Sequence, residues 1–367
     1  MHEQLRDYPV PEELRIMDCH VHIFHWEDGQ SSGAQNYIHQ LKRFRELYGF
    51  DSVNVVCVPF GKDRDISQNI MGALLKLSDS RFYVHAGLMY PQTPVKLPFA
   101  EGIRPEQQLE DILAVGFDGI KILETKPNYR KILDLCVADP EMDRFFTKAE
   151  ETQTHIIWHV NDPLSFWDPA TPGVRPEWRY TGNGFMQSED IYQEVFRVLQ
   201  RHPNLKITFA HLFFMENDPD RLVRLLDTYP NVCVDLTPHA RMYPAMTQRR
   251  EVWKSILTRY SDRFLFGTDH SSAYPHDSLY GNYHIYRFLL SEDRYMFCCD
   301  EPVQGLGLDL GVVQKILCDN FYRRVGSKPK TICRSALKAY LHKYLPMMCL
   351  PEQKEQIVAF CASQNLL

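Results

Sequence analysis

The sequence predicts an α/β protein folded as a (β/α)8 barrel with loop insertions and a helical C-terminal extension, and three observations predict it. Eight short β-branched or aromatic runs, each bounded by turn residues, are spread evenly over residues 15–269. Helix-length segments alternate with them. Several runs, such as IIWHV (156–160) and ITFAH (207–211), are apolar almost throughout, which suits strands covered on both faces by helices and therefore a parallel sheet. The rival doubly wound sheet calls for a Gly-rich phosphate turn after the first strand, and none follows it.

Taken in order, RIMDCHVH (15–22) is the first strand and 36–49 its helix. SVNVVCV (52–58) leads to a helix over 66–78, and RFYVHAGL (81–88) to a Pro-rich loop, 90–104, then a helix over 105–115. DGIKIL (118–123) precedes a helix over 129–151. THIIWHV (154–160) is followed by a long loop rich in Pro, Gly and Trp, 161–187, which the barrel order places on the face where such folds build sites, as a lid or pocket wall. A helix over 188–202 comes next. LKITFAH (205–211) pairs with a helix over 218–228, NVCVDL (231–236) with one over 246–260, and RFLFGTD (263–269) with one over 281–290. Residues 1–326 thus form the barrel, and 327–367 read as a helical extension packed on it.

Composition narrows the function. In 367 residues, 41 Lys and Arg face 47 Asp and Glu for a net charge of −6, and no run of basic residues offers a footprint for phosphate backbones or anionic lipid. Nucleic acid and membrane are therefore not expected partners, a small-molecule substrate is, and a homo-oligomer stays open. No apolar run approaches the roughly 18 residues of a membrane span, and the polar N-terminus lacks a signal-peptide pattern, so a cytoplasmic location is expected. The 10 cysteines show no CxxC spacing, which disfavours a thiolate zinc site and leaves them, Cys298-Cys299 included, as structural thiols.

The first strand ends Asp18-Cys19-His20-Val21-His22, and alternation puts Asp18, His20 and His22 on one face. An HxH pair arises by chance about 0.6 times in a chain of this composition, so its position carries the weight. Neutral imidazoles at the C-terminal end of a barrel strand suit a divalent metal. Other strand ends repeat the signal with His159, His211 and Asp269, and Lys121 sits toward the end of the fourth strand. Core positions there would hold Val, Ile or Leu, since an unpartnered buried polar group costs about 1–3 kcal/mol.

With those residues in hand, the chain resembles the amidohydrolase superfamily, in the branch of metal-dependent hydrolases called amidohydrolase family 2. The resemblance spans about residues 15–325 and rests on DCHVHIF (18–24), FDGIKIL (117–123), HVNDP (159–163), RHPNLKITFAHLFF (201–214), YPNVCVDLTP (229–238), FLFGTDHS (264–271) and KILCDNFYRRVG (315–326). It implies one divalent metal, zinc first and manganese next, held by His20, His22, His159 and Asp269, with His211 beside it. Residues 212–214 are Leu-Phe-Phe where many decarboxylases of the branch have glycines, so the space around His211 differs from theirs. A plain Lys121 implies a single metal and supplies a positive charge for a substrate carboxylate or carbonyl. A carboxylated one implies two.

A divalent ion held by imidazoles and a carboxylate lowers the pKa of bound water toward about 7 and polarises a carbonyl. The expected function is hydrolysis of an amide, ester or lactone of a small anionic molecule, with Asp269 moving the proton and His211 stabilising charge on the carbonyl oxygen. The alternatives are a nonoxidative decarboxylase of an aromatic or unsaturated carboxylic acid, a metal-free lactonase, and a catalytically silent barrel acting as a binding module. Trp167, Trp178, Arg175, Arg179 and Tyr180 in the long loop, and His239, Arg241 and Tyr243 after the seventh strand, are the expected substrate contacts. His270 should point outward.

Overall fold

The computed structural model describes residues 10–23, 34–58, 66–182, 184–239, 241–272, 280–296, 301–347 and 351–367. Strands β1 (Met17–His22), β2 (Ser52–Val56), β3 (Phe82–Gly87), β4 (Gly119–Thr125), β5 (His155–Val160), β6 (Lys206–Phe209) and β7 (Val232–Asp235) pair in sequence order, all parallel. The eighth strand is split. Its first piece, β8 (Phe264–Leu265), pairs with β7, and its second, β9 (His270–Ser271), pairs with β1, so one segment touches both edges of the curled sheet. The predicted strand over 263–269 is therefore interrupted, because Gly267, Thr268 and Asp269 leave the ladder where the chain turns toward the site. Asp269 has a left-handed φ of 58°.

The strands are buried on both faces, as their apolar runs require: every residue of β2, β3, β4 and β5 is buried. Irregular register falls between Asp18 and Val21 in β1 and between Ile122 and Thr125 in β4, at the ends that carry the candidate site.

Helices α1 (Ala34–Leu47), α2 (Ser67–Ser78) and α3 (Pro105–Val115) follow the first three strands. The single helix expected over 129–151 is two, α4 (Pro127–Leu133) and α5 (Pro140–Glu151). Asp134 at φ 51° ends the first, and Pro140 opens the second. Helices α6 (Ser188–Arg201) and α7 (Pro219–Thr228) stand close to their predicted ranges. The helix expected over 246–260 is again a pair, α8 (Met242–Gln248) and α9 (Arg250–Arg259), broken at Arg249. Helix α10 (Tyr280–Leu290) follows.

Beyond residue 327 lie α11 (Arg334–Tyr344) and α12 (Pro351–Ser363). Asn69 Nδ2 of α2 donates to Tyr340 Oη at 3.0 Å, and Asp111 of α3 accepts from Lys343 Nζ at 2.5 Å and Tyr344 Oη at 2.8 Å. Gly116, at φ 100°, lets residue 331 pass close by: a Cβ there would lie 2.2 Å from the Thr331 carbonyl oxygen. Cys19, Cys57, Cys233, Cys318 and Cys361 are buried free thiols, whereas Cys298-Cys299 lies outside the described residues.

Below the strand ends, a polar chain crosses the barrel interior. Thr208 Oγ1 donates to His155 Nε2 (2.9 Å), His155 Nδ1 to His85 Nε2 (2.8 Å), His85 Nδ1 to Asn54 Oδ1 (2.7 Å), and Asn54 Nδ2 to the Cys19 carbonyl (2.8 Å). The Asn54 amide fixes the direction, because its Nδ2 faces a carbonyl and its Oδ1 must then accept. Gly119 makes the room: a Cβ there would sit 2.4 Å from His85 Nε2. Burial pushes both histidines well below the ordinary imidazole range, so both are neutral.

Candidate metal centre

His20 is fully buried at the end of β1, and its Nδ1 lies 2.9 Å from Asp235 Oδ2, at the end of β7. The other Asp235 oxygen accepts the backbone N–H of His211 at 2.8 Å and of Thr237 at 3.1 Å. Burial opposes the charge of Asp235, but the His20 ring and these donors bring its carboxyl down to about 2. An ionised carboxylate only accepts, so His20 Nδ1 carries the proton and Nε2 presents a lone pair. Burial first, and then the charge of Lys121, push the His20 pKa down to about 3, so the ring is neutral.

That lone pair faces Asp269. The Asp269 N–H donates to the His20 carbonyl at 2.9 Å, and its Oδ1 lies 3.1 Å from His22 Nε2 and 3.7 Å from His20 Nε2. Burial works against its charge, yet the His22 contact and the surrounding imidazoles hold its carboxyl well below the usual range. One ligand atom from each of His20, His22 and Asp269 falls within 4.8 Å of the others. Two nitrogen donors and one anion at that spacing fit a single divalent ion. The Lys121 ammonium already stands as a cation against the same lone pair, its Nζ 3.1 Å from His20 Nε2. Lys121 is buried, and desolvation lowers its pKa to about 8. Its nearest partner is thus His20 and not Asp18 or Asp269.

His211 lies beside the group, its ring centroid 5.3 Å from that of His20. Its Nδ1 donates to the Thr237 carbonyl at 3.3 Å, which leaves Nε2 as an acceptor; burial brings its pKa down to about 3. The backbone there is unusual. His211, Leu212, Phe213 and Phe214 have φ of 56°, 56°, 57° and 52°, one left-handed turn without a glycine. Each such residue costs roughly 1–2 kcal/mol. Packing offsets the strain: Leu212 and Phe213 are fully buried, Phe213 stacks on Phe209 at 4.0 Å, and Tyr192 Oη donates to the Phe213 carbonyl at 2.8 Å. Phe214 reaches the rings of His159 (5.5 Å), His211 (5.4 Å) and His239 (4.8 Å).

His159 stays outside the group of three. Its ring centroid is 4.9 Å from that of His211, but its Nε2 turns to the Asn161 carbonyl at 3.0 Å and Asp162 Oδ1 at 3.2 Å. Lys126 Nζ bridges both Asp162 oxygens at 2.5 and 2.7 Å.

The loop residues face mainly one another. Arg179 donates to the carbonyls of Asp168, Pro169, Thr171 and Val174, and the Arg175 guanidinium lies 4.8 Å over Trp178. Trp167 Nε1 donates to the Met186 carbonyl, and Tyr180 Oη to Asp162. The arginines expected to meet a substrate carboxylate are thus engaged in shaping the loop. His239 Nε2 lies 3.2 Å from Glu216 Oε2, the exposed Arg241 pairs with Glu301, and Tyr243 Oη donates to the Leu236 carbonyl. His270 points outward and stacks on Phe44 at 4.1 Å, as strand alternation requires.

Sequence reasoning missed Asp235, Lys126, Asp162 and Glu216. Only Asp235 carried a signal of the kind used for the histidines, a charged residue at the buried end of a strand.

A family model described as amidohydrolase matches residues 104–323, more than half of the chain. The chain belongs to the amidohydrolase family. Among solved structures, it is similar to 2,6-dihydroxybenzoate decarboxylase from Rhizobium, at 13% identity and a TM-score of 0.56 over 85% of this chain and 98% of that one. A dihydroxybenzoic acid decarboxylase from Polaromonas sp., with bound manganese and an inhibitor, matches at 12% identity and a TM-score of 0.53 over 85% and 97%. A candidate 2-pyrone-4,6-dicarboxylic acid hydrolase from Pseudomonas putida matches at 15% identity and a TM-score of 0.50 over 85% and 98%. At these identities the likeness establishes the barrel fold of this amidohydrolase. A search of curated proteins found no match. Among the described residues, no helix is long and apolar enough to cross a membrane.

Proposed function

We propose that this amidohydrolase cleaves an amide, ester or lactone bond of a small anionic molecule with the help of one divalent ion, zinc first and manganese next. His20, His22 and Asp269 hold the ion, joined by His159. The observation that carries this reading is the convergence of two imidazoles and a carboxylate around the lone pair that Asp235 directs from His20. A divalent ion bound there supplies a Lewis acid for a carbonyl oxygen and a more acidic water.

The protein's own groups do the rest. Asp269 is ionised and partly exposed, with a side-chain exposure of 41%, so it accepts the proton of the attacking water and returns it to the leaving group. His211, beside the three ligands, is assigned to the negative charge that develops on the carbonyl oxygen. For that role Nε2 must carry a proton, because Nδ1 is committed to the Thr237 carbonyl. The Lys121 ammonium attracts a substrate carboxylate toward His20.

Nonoxidative decarboxylation stands second, favoured by the two decarboxylases of the same fold. Product analysis on a panel of lactones, amides, esters and aromatic acids separates the two, because only decarboxylation releases carbon dioxide. Asp269→Asn should abolish most turnover of whichever substrate is found, and near-native turnover would remove Asp269 as the base.

A further inference from the structure

The carboxylate that holds His159 is itself held by the long loop. From this arrangement we infer that the loop 161–187 sets the affinity of the metal centre through Asp162, with Asp162 and Tyr180 as positioning residues. The inference rests on His159 joining the ligand set proposed above.

His159 Nε2 has two acceptors, the Asn161 carbonyl at 3.0 Å and Asp162 Oδ1 at 3.2 Å; Lys126 Nζ, a donor 3.3 Å away, is the longest of its contacts and is already spent on both Asp162 oxygens, so Nε2 carries the proton. Nδ1 is then the nitrogen left with a lone pair for a metal. Which nitrogen ligates, and how the ring is turned, depends on Asp162.

Asp162 is buried and gripped from two further sides. Lys126, just beyond β4, bridges its oxygens at 2.5 and 2.7 Å, and Tyr180 Oη donates to Oδ2 at 2.5 Å. Tyr180 lies in the second half of the loop and is only 2% exposed, so the loop reaches back to its own start. The loop is also closed at its base, where Asn161 Nδ2 donates to the Ser188 carbonyl at 2.9 Å and the Asn161 N–H to the Thr125 carbonyl at 3.0 Å. Inside, the Tyr180 N–H donates to the Phe166 carbonyl at 2.9 Å, and Arg179 binds four loop carbonyls. A loop pinned in this way has one place to put the Tyr180 hydroxyl. Moving the loop removes a donor from Asp162 and frees the His159 ring to turn.

Coupling of this kind is reciprocal: if the closed loop raises metal affinity, bound metal must favour the closed loop. Two measurements on the full-length apoprotein test it. Zinc, and then manganese, is titrated in competition with a chromogenic chelator. Trypsin cleavage after Arg179, in the loop, is timed with and without the metal. Tyr180→Phe removes one hydroxyl and should weaken binding by up to about tenfold, while the double variant Lys126→Met/Asp162→Asn should weaken it by about 10–100-fold. Removing both charges of the pair together leaves neither buried alone, so this variant keeps its fold, which the melting temperature checks. Metal should slow loop cleavage in the wild type and do so less in Tyr180→Phe. Unchanged metal affinity in both folded variants, or wild-type cleavage indifferent to metal, overturns the coupling alone. A wild type that takes up neither metal overturns the metal reading itself, and this inference with it.

Discussion

His85 and His155 should carry a separable share of this barrel's acid sensitivity, and the size of that share follows from their setting. Both rings are fully buried, and every ring nitrogen is committed: His155 Nδ1 donates to His85 Nε2, and the chain ends on Asn54 and Thr208. An added proton has no acceptor, and burial holds both pKa values well below the ordinary imidazole value of about 6.5. In the unfolded chain each ring titrates normally. Below pH 6.5 the unfolded state therefore binds more protons than the folded one, so stability is full above that pH and falls as pH drops toward the folded-state pKa. A ring that stays unprotonated in the fold contributes at most about 1.4 kcal/mol per pH unit below 6.5, so the upper limit for the pair is about 2.8 kcal/mol per unit. The assay is the melting temperature at half-unit steps from pH 7.5 to 4.5, with chelator present, for the wild type and for His85→Leu/His155→Leu. The variant should start lower at neutral pH, because Asn54 and Thr208 lose partners, and then decline less steeply in acid. Parallel curves would show that the two rings bind no more protons in the unfolded chain than in the fold.

Other expectations follow from the site. Asp235→Asn can keep an acceptor for the His211 and Thr237 amides but offers N–H to His20 Nδ1, which moves the ring proton to Nε2; zinc affinity should fall about 10–100-fold in a chelator competition. Leu212→Ala keeps the left-handed strain while Leu212→Gly relieves it, so the glycine variant should be the more stable by about 1–2 kcal/mol, the reverse of the usual order, as read from melting temperatures. His22→Ala should lose metal binding yet melt cooperatively by circular dichroism, since the barrel core does not depend on His22.

Most of the barrel was legible because its strands obey a local rule: a run such as HIIWHV can be buried on both faces only between helices. Helix boundaries were less so, since Asp134 and Arg249 end their helices through backbone geometry that no apolar pattern announces. In the site, His20, His22 and Asp269 were visible as polar residues where a strand end should be apolar. The orienting residues were not. Lys126 meets Asp162 only because β4 and β5 bring their following loops together, and Arg179 reads identically in sequence whether it binds a substrate or its own loop's carbonyls. The glycine-free turn at 211–214 is the reverse case. Leu-Phe-Phe signalled a difference around His211, but its left-handed backbone comes from tertiary packing.

In the proposed site, His20, His22 and Asp269 hold one divalent ion. The most direct test is the metal content of protein purified without added metal or chelator, by elemental analysis per chain, beside His22→Ala prepared identically. About one equivalent of zinc or manganese is expected in the wild type and almost none in the variant. Two equivalents would make Lys121 a carboxylated bridge between metals, and a wild type that stays empty after metal is offered would show that these three residues do not form a metal site.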